Sequence, residues 1–101
     1  MSYVDGFVLA VPVANQEAYK KLAEEAAVVF KDHGALRVVE CWADDVPPGK
    51  VTSFPMAVQC KEDEAVVFSW IHWPSRQARD EGMKRSFEDP RMKHDPESMP
   101  F

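Results

Sequence analysis

The segment EAVVFSWIHW, Glu64–Trp73, decides how this chain folds. It is rich in β-branched and aromatic residues, has strand length, and stops at Pro74. Successive side chains of a strand point to opposite faces. One face therefore carries Val66, Phe68 and Trp70 and the other Val67, Ile71 and Trp73, so both are apolar. YVDGFVLAV, residues 3–11, divides in the same way, with Phe7, Leu9 and Val11 against Val4, Val8 and Ala10. Two strands that are apolar on both sides require a sheet that is covered on both sides.

Two helices fit one of those faces. After Pro12 and a turn, Asn15 is placed to cap a helix in which Tyr19, Leu22, Ala23, Ala26, Val29 and Phe30 recur at three- and four-residue spacing. Gly34 suits the left-handed residue that ends it. Residues 35–42 form a second strand. In the segment TSFPMAVQC, Thr52 is expected to cap a short helix with Pro55 in its first turn. Ser75 caps a helix over residues 76–88 with Ala78, Gly82, Met83 and Phe87 on its inner stripe, and Asp89-Pro90 ends it. Residues 89–101 are polar and proline-punctuated and read as an irregular tail. The order β, α, β, short α, β, α predicts a single α+β domain over residues 1–101, an antiparallel sheet with two helices on one face. The second face would expose more than the roughly 300–600 Å2 of contiguous apolar surface that a monomer shows. A second copy of the sheet is the simplest cover, so a homodimer packed through its sheet faces is expected.

Composition narrows the function classes. Hydrophobic residues are 46% of 101, too many for a disordered chain, and no apolar run is long enough to cross a bilayer. The start lacks the pattern of an export signal, which predicts a soluble cytoplasmic protein without membrane partners. Cys41 and Cys60 are the two cysteines, and in that compartment they are expected as thiols. A net charge of −5 argues against nucleic acid as a partner.

The strings YVDGFVLAVP, GALRVVECWADDVP, VVFSWIHWPS and EDPRMK together resemble the YbaA-like family of small bacterial proteins of unknown function, within the dimeric α+β barrel superfamily. The resemblance spans essentially the whole chain. It implies a ferredoxin-like βαββαβ subunit whose sheets form a barrel across a homodimer. It implies no reaction, because that superfamily includes cofactor-independent monooxygenases, muconolactone isomerases and haem-dependent enzymes. Family members usually continue beyond MPF with a glycine-containing segment that would form a fourth strand beside the first. The chain ends at Phe101, so the sequence reads as one whose last strand is missing.

Among candidate site residues, Glu40 shares a strand face with Leu36, Val38 and Trp42. Desolvation there would suit it to act as a general base. The alternative is an ion pair with Arg37 or with a basic residue of a partner subunit. His72, between aromatic residues, is the second candidate for proton transfer, or else a histidine at a strand end with its polar edge in solvent. Trp42, Phe68, Trp70, Trp73 and Met83 are candidates to line an apolar ligand pocket between sheet and helices, with core packing as the alternative.

His33 and His94 share no ligand spacing with His72 or the cysteines, so no metal is expected. Neither cysteine has a cation placed to activate it. Asp44 and Asp45 read as turn residues, and Arg76, Arg79, Lys84 and Arg85 as a solvated helix face interleaved with acids. Gly6 suggests a bulge or a close backbone approach. No phosphate-binding glycine loop, dinucleotide fingerprint or serine nucleophile motif is present, and no cofactor is implied. The sequence thus leads to a homodimer that binds a small apolar or aromatic molecule between sheet and helices. The alternatives are a cofactor-independent monooxygenase or isomerase, and a non-catalytic interaction module.

Overall fold

The computed structural model describes residues 2–93 and 99–101. Its elements run β1 (Tyr3–Pro12), a 3-10 turn (Val13–Asn15), α1 (Gln16–Asp32), β2 (Arg37–Trp42), α2 (Phe54–Ala57), β3 (Glu64–Trp73), α3 (Arg76–Glu88) and a second 3-10 turn (Pro90–Met92). The fold is α+β, and its three-stranded sheet has the order β1-β3-β2. Both neighbours run antiparallel to β3, with Tyr3 opposite Trp73, Phe7 opposite Ser69, and Ser69 in turn opposite Glu40. The segment with the strongest strand signal in the sequence is therefore the central strand.

α1 and α3 lie on the face that carries Val67, Ser69, Ile71 and Trp73. One end of the core joins Phe30, Ala35, Ile71 and Trp73, with Met83 and Met92 packed against them. The other end joins Val11, Tyr19 and Val67, with Leu9, Ala23 and Trp42 alongside. α2 lies on the opposite face, where its Phe54 ring stands 5.5 Å from Phe68.

Helix ends follow local chemistry. α1 closes with a complete left-handed cap: Ala35 N–H donates to the Phe30 carbonyl at 3.0 Å and Gly34 N–H to the Lys31 carbonyl at 3.2 Å. Gly34 supplies the required positive φ of 111°. Ser75 caps α3 by accepting from Ala78 N–H at 3.1 Å, worth about 1 kcal/mol in helices generally. The start of α1 differs from expectation. Asn15 holds the cap position, but the preceding 3-10 turn leaves its backbone outside the extended region, and its side-chain amide donates to the Pro100 carbonyl at 2.8 Å instead. The short helix is capped by Ser53 rather than Thr52, with the Ser53 hydroxyl accepting from Met56 N–H at 3.2 Å.

Three further expectations are corrected. β2 begins at Arg37, because Ala35 belongs to the α1 cap. Gly6 pairs regularly with Trp70, and nothing would crowd a side chain built there, so it is neither a bulge nor a close approach. Phe87 lies on the inner side of α3, facing the space between sheet and helices, but is 63% exposed rather than packed in the core. The tight contact of α3 is made instead by Gly82 and Ser86, one turn apart and both buried. At Gly82 any side chain would collide with the Trp73 ring and the His33 carbonyl.

Two polar clusters tie the helices down. Asp5 accepts from Trp73 Nε1 at 3.1 Å and from both Nε and Nη2 of Arg79, whose guanidinium also lies 5.2 Å from the Tyr3 ring centre. Arg79 is thus taken out of the solvated basic face expected for α3. Asp89 accepts from Arg91 and contacts His33 Nε2 at 2.9 Å, while Arg91 reaches back to Asp32 at the end of α1. The tail beyond α3 begins as the turn Pro90–Met92 and closes with Phe101 edge-on to Tyr19 at 5.7 Å.

Candidate functional site: a tyrosine-glutamate pair between two cavities

The row Phe7, Ser69, Glu40 crosses the middle of the sheet on its helix-bearing face. Serine is the small member of that row. On either side of it β3 carries the larger Val67 and Ile71, and α1 presents Ala23, Ala26 and Ala27 toward the sheet. Short side chains on both layers leave space between them. One cavity, of about 360 Å3, lies between α1 and the β2 edge; Tyr19, Ala23, Glu40, Trp42 and Val67 line it, together with the polar Gln16, Lys20 and Glu24 of α1. Another, of about 560 Å3, lies between the sheet and both long helices, lined by Phe7, Leu9, Phe30, Ser69, Met83 and Phe101 among others. Tyr19, Ala23, Val38 and Glu40 belong to both.

At that shared boundary the Tyr19 hydroxyl donates to Glu40 Oε2 at 2.8 Å. Glu40 is exposed as a residue, because the space it faces is open to solvent, yet protein crowds its carboxyl. Burial pushes the Glu40 carboxyl above its ordinary value, opposed by the Tyr19 and Ser69 hydroxyls, which favour the charged form. Tyr19 moves further. Burial, then the Glu40 hydrogen bond and charge, hold its phenol well above the usual range. At neutral pH Tyr19 is a committed donor and Glu40 an acceptor whose proton affinity has been raised, which is the pattern of a polar anchor or a proton acceptor.

The sheet divides the residues singled out from sequence. Glu40, Trp42 and Met83 lie on the helix side and line the cavities. Phe68, Trp70 and His72 lie on the other face, where Trp70 packs against Phe68 at 5.8 Å. They do not reach the space between sheet and helices, because strand alternation turns even-numbered residues of β3 away from it. Glu40 and His72 therefore cannot serve one reaction centre within a chain. Arg37, opposite His72 in the ladder, is also on the far face and makes no pair with Glu40. Trp73 is wholly buried in the core. His33 binds Asp89, and His94 lies outside the described residues. Among the described residues, no three His, Cys, Asp or Glu side chains gather as a metal site. No helix among them is long and apolar enough to cross a membrane.

Tyr19 and Ser69 were not singled out as site residues from sequence. Tyr19 reads there as one more member of the apolar stripe of α1. The available signal was its hydroxyl, which needs a partner when the ring is buried. Ser69 was visible as the small polar break in an otherwise large apolar strand.

An α+β protein with an anchored carboxylate in an apolar cavity is a class defined by architecture rather than by a reaction. The chain belongs to the family described as a protein of unknown function (DUF1428), whose family model matches residues 2–101. It is 58% identical over 101 residues to the uncharacterized protein YbaA of Escherichia coli strain K12, and equally to the YbaA proteins of E. coli O157:H7 and Shigella flexneri. These alignments cover 100% of this chain and 86% of each relative.

Proposed function

We propose that this protein is a homodimeric α+β barrel protein that binds a small, partly apolar molecule between its sheet and helices, with Glu40 and Tyr19 as the polar end of the site. The carrying observation is the 2.8 Å Tyr19 to Glu40 hydrogen bond set between two otherwise mainly apolar cavities. Their volumes fall within the roughly 300–1,000 Å3 usual for small-molecule sites. In this reading the subunit is ferredoxin-like, and the order β1-β3-β2 supports it. The dimer is supported by the sheet face away from α1 and α3. That face presents Val4, 51% exposed, and Phe68, 37% exposed, beside Trp70 and the exposed Phe54 of α2. Cys41 and Cys60 are free thiols, which fits the cytoplasm, where we place the protein.

Native mass spectrometry of the protein purified gently from its own host tests both parts. A dimer carrying a reproducible small-molecule mass is the expected result. A monomer, together with no thermal shift across a broad metabolite panel, overturns the proposal.

The raised proton affinity of Glu40 favours one second reading, a cofactor-independent isomerase or monooxygenase in which Glu40 accepts a proton. Turnover that survives Glu40→Gln unchanged removes Glu40 from that role.

A further inference from the structure

Resting on the ligand-binding reading above, the geometry points to a neutral hydroxyl compound, an alcohol or phenol on an apolar skeleton, as the ligand class of the larger of the two cavities that Glu40 lines, the one between the sheet and both long helices. An ionised carboxylate offers roughly four acceptor positions and no donor. The Tyr19 hydroxyl occupies one of them, on Oε2, and the Ser69 hydroxyl also favours the charged carboxylate. The Tyr19 proton is spent on Glu40, so the polar end of the cavity presents acceptors to an incoming molecule. A ligand must therefore bring a donor of its own.

Charge sharpens the choice. Apart from Glu40, the larger cavity is lined by side chains that carry no charge, among them Phe7, Leu9, Phe30, Met83 and Phe101. An anionic ligand would lie beside a like charge with no cation to receive it, at a high desolvation cost. An ammonium would bring a second charge into the same apolar space, and the desolvation of two ions commonly offsets their attraction. A hydroxyl meets the carboxylate with a charge-assisted hydrogen bond while its skeleton covers the aromatic and aliphatic lining. The amide of Asn15, bonded to the Pro100 carbonyl, fixes the segment that brings Phe101 over this cavity, so the apolar wall is held in place.

Four probes of one shape separate these chemistries: 2-naphthol, its methyl ether 2-methoxynaphthalene, 2-naphthoate and 2-naphthylmethylamine. Each is titrated into the full chain by isothermal calorimetry at neutral pH. The expected result is that 2-naphthol binds about tenfold or more tightly than any of the other three, since the ether keeps the shape and loses only the donor. Glu40→Leu, shown folded by circular dichroism, should bring naphthol and its ether to equal affinity, whereas Glu40→Gln, which keeps an acceptor oxygen, should retain part of the difference. Equal or tighter binding of the ether, the acid or the amine overturns the hydroxyl assignment and leaves the cavity reading standing. An unchanged naphthol preference in Glu40→Leu overturns it as well. No binding by any probe, with the Tyr19 NMR signals unmoved, removes the assignment and the cavity reading together.

Discussion

The Tyr19 hydroxyl donates to Glu40 Oε2 at 2.8 Å, and the two groups act on each other's protons in opposite senses. The tyrosine donor favours the glutamate charge, while that charge keeps the tyrosine proton in place. Burial decides the outcome for both, raising the proton affinity of each.

Glu40 should therefore weaken the fold at neutral pH. Its folded-state pKa lies above its ordinary 4.5, so its contribution to stability is fully present below the unfolded value and is lost as pH rises through the folded value. Glu40→Gln is expected to melt a few degrees higher than the parent at about pH 7, with the gain shrinking as pH falls and vanishing well below the ordinary value of 4.5, where both states of the parent are protonated. Scanning calorimetry across that window checks it. A gain that does not depend on pH, or a loss at neutral pH, contradicts the account.

Gly82→Ala is expected to destabilise despite the better helix propensity of alanine. The new methyl group would stand 2.7 Å from both the His33 carbonyl oxygen and Trp73 Cη2. Overpacking of this kind costs about 1–3 kcal/mol, against a propensity gain of about 1 kcal/mol. Urea unfolding followed by tryptophan fluorescence should show a lower midpoint, and an unchanged or higher one would mean that α3 sits further from Trp73.

Asp89 has the opposite pH signature. The Arg91 and His33 hydrogen bonds hold its carboxyl well below its ordinary 3.8, so its stabilisation is present above that value and is lost as pH falls through the folded pKa. Asp89→Asn should lower the melting temperature at about pH 7, and the difference from the parent should close in strongly acidic solution. Parallel melts at the two pH values decide the matter. A constant difference would assign the effect to packing.

The elements were legible because each carried a local signal. β3 and α3 have the boundaries expected, fixed by Pro74, the Ser75 cap and Asp89-Pro90. The caps of α1 and α2 were harder to read: Thr52 and Ser53 compete for one position, and whether the Asn15 side chain bonds its own helix depends on backbone angles that a sequence does not print. The site was half legible. Glu40 on an apolar strand face drew attention by itself, and alternation correctly put Trp42 beside it. His72, Phe68 and Trp70 were grouped with Glu40 by proximity in an aromatic run, whereas the pleat sends them through to the other side. Asp5 with Arg79 and His33 with Asp89 join residues distant in sequence, and nothing local marks them as partners.

The position of β3 has a consequence for how the chain reaches this state. Each of the other strands bonds to β3 and not to the other, and the β1 ladder joins residues as far apart as Tyr3 and Trp73. During synthesis β1 and β2 both emerge before their partner, and the sheet cannot be completed until Trp73 has cleared the ribosome. A topology so dominated by non-local pairing folds slowly for its size. The two-faced apolar strands that define the fold are thus also the surface in need of protection while the nascent chain waits.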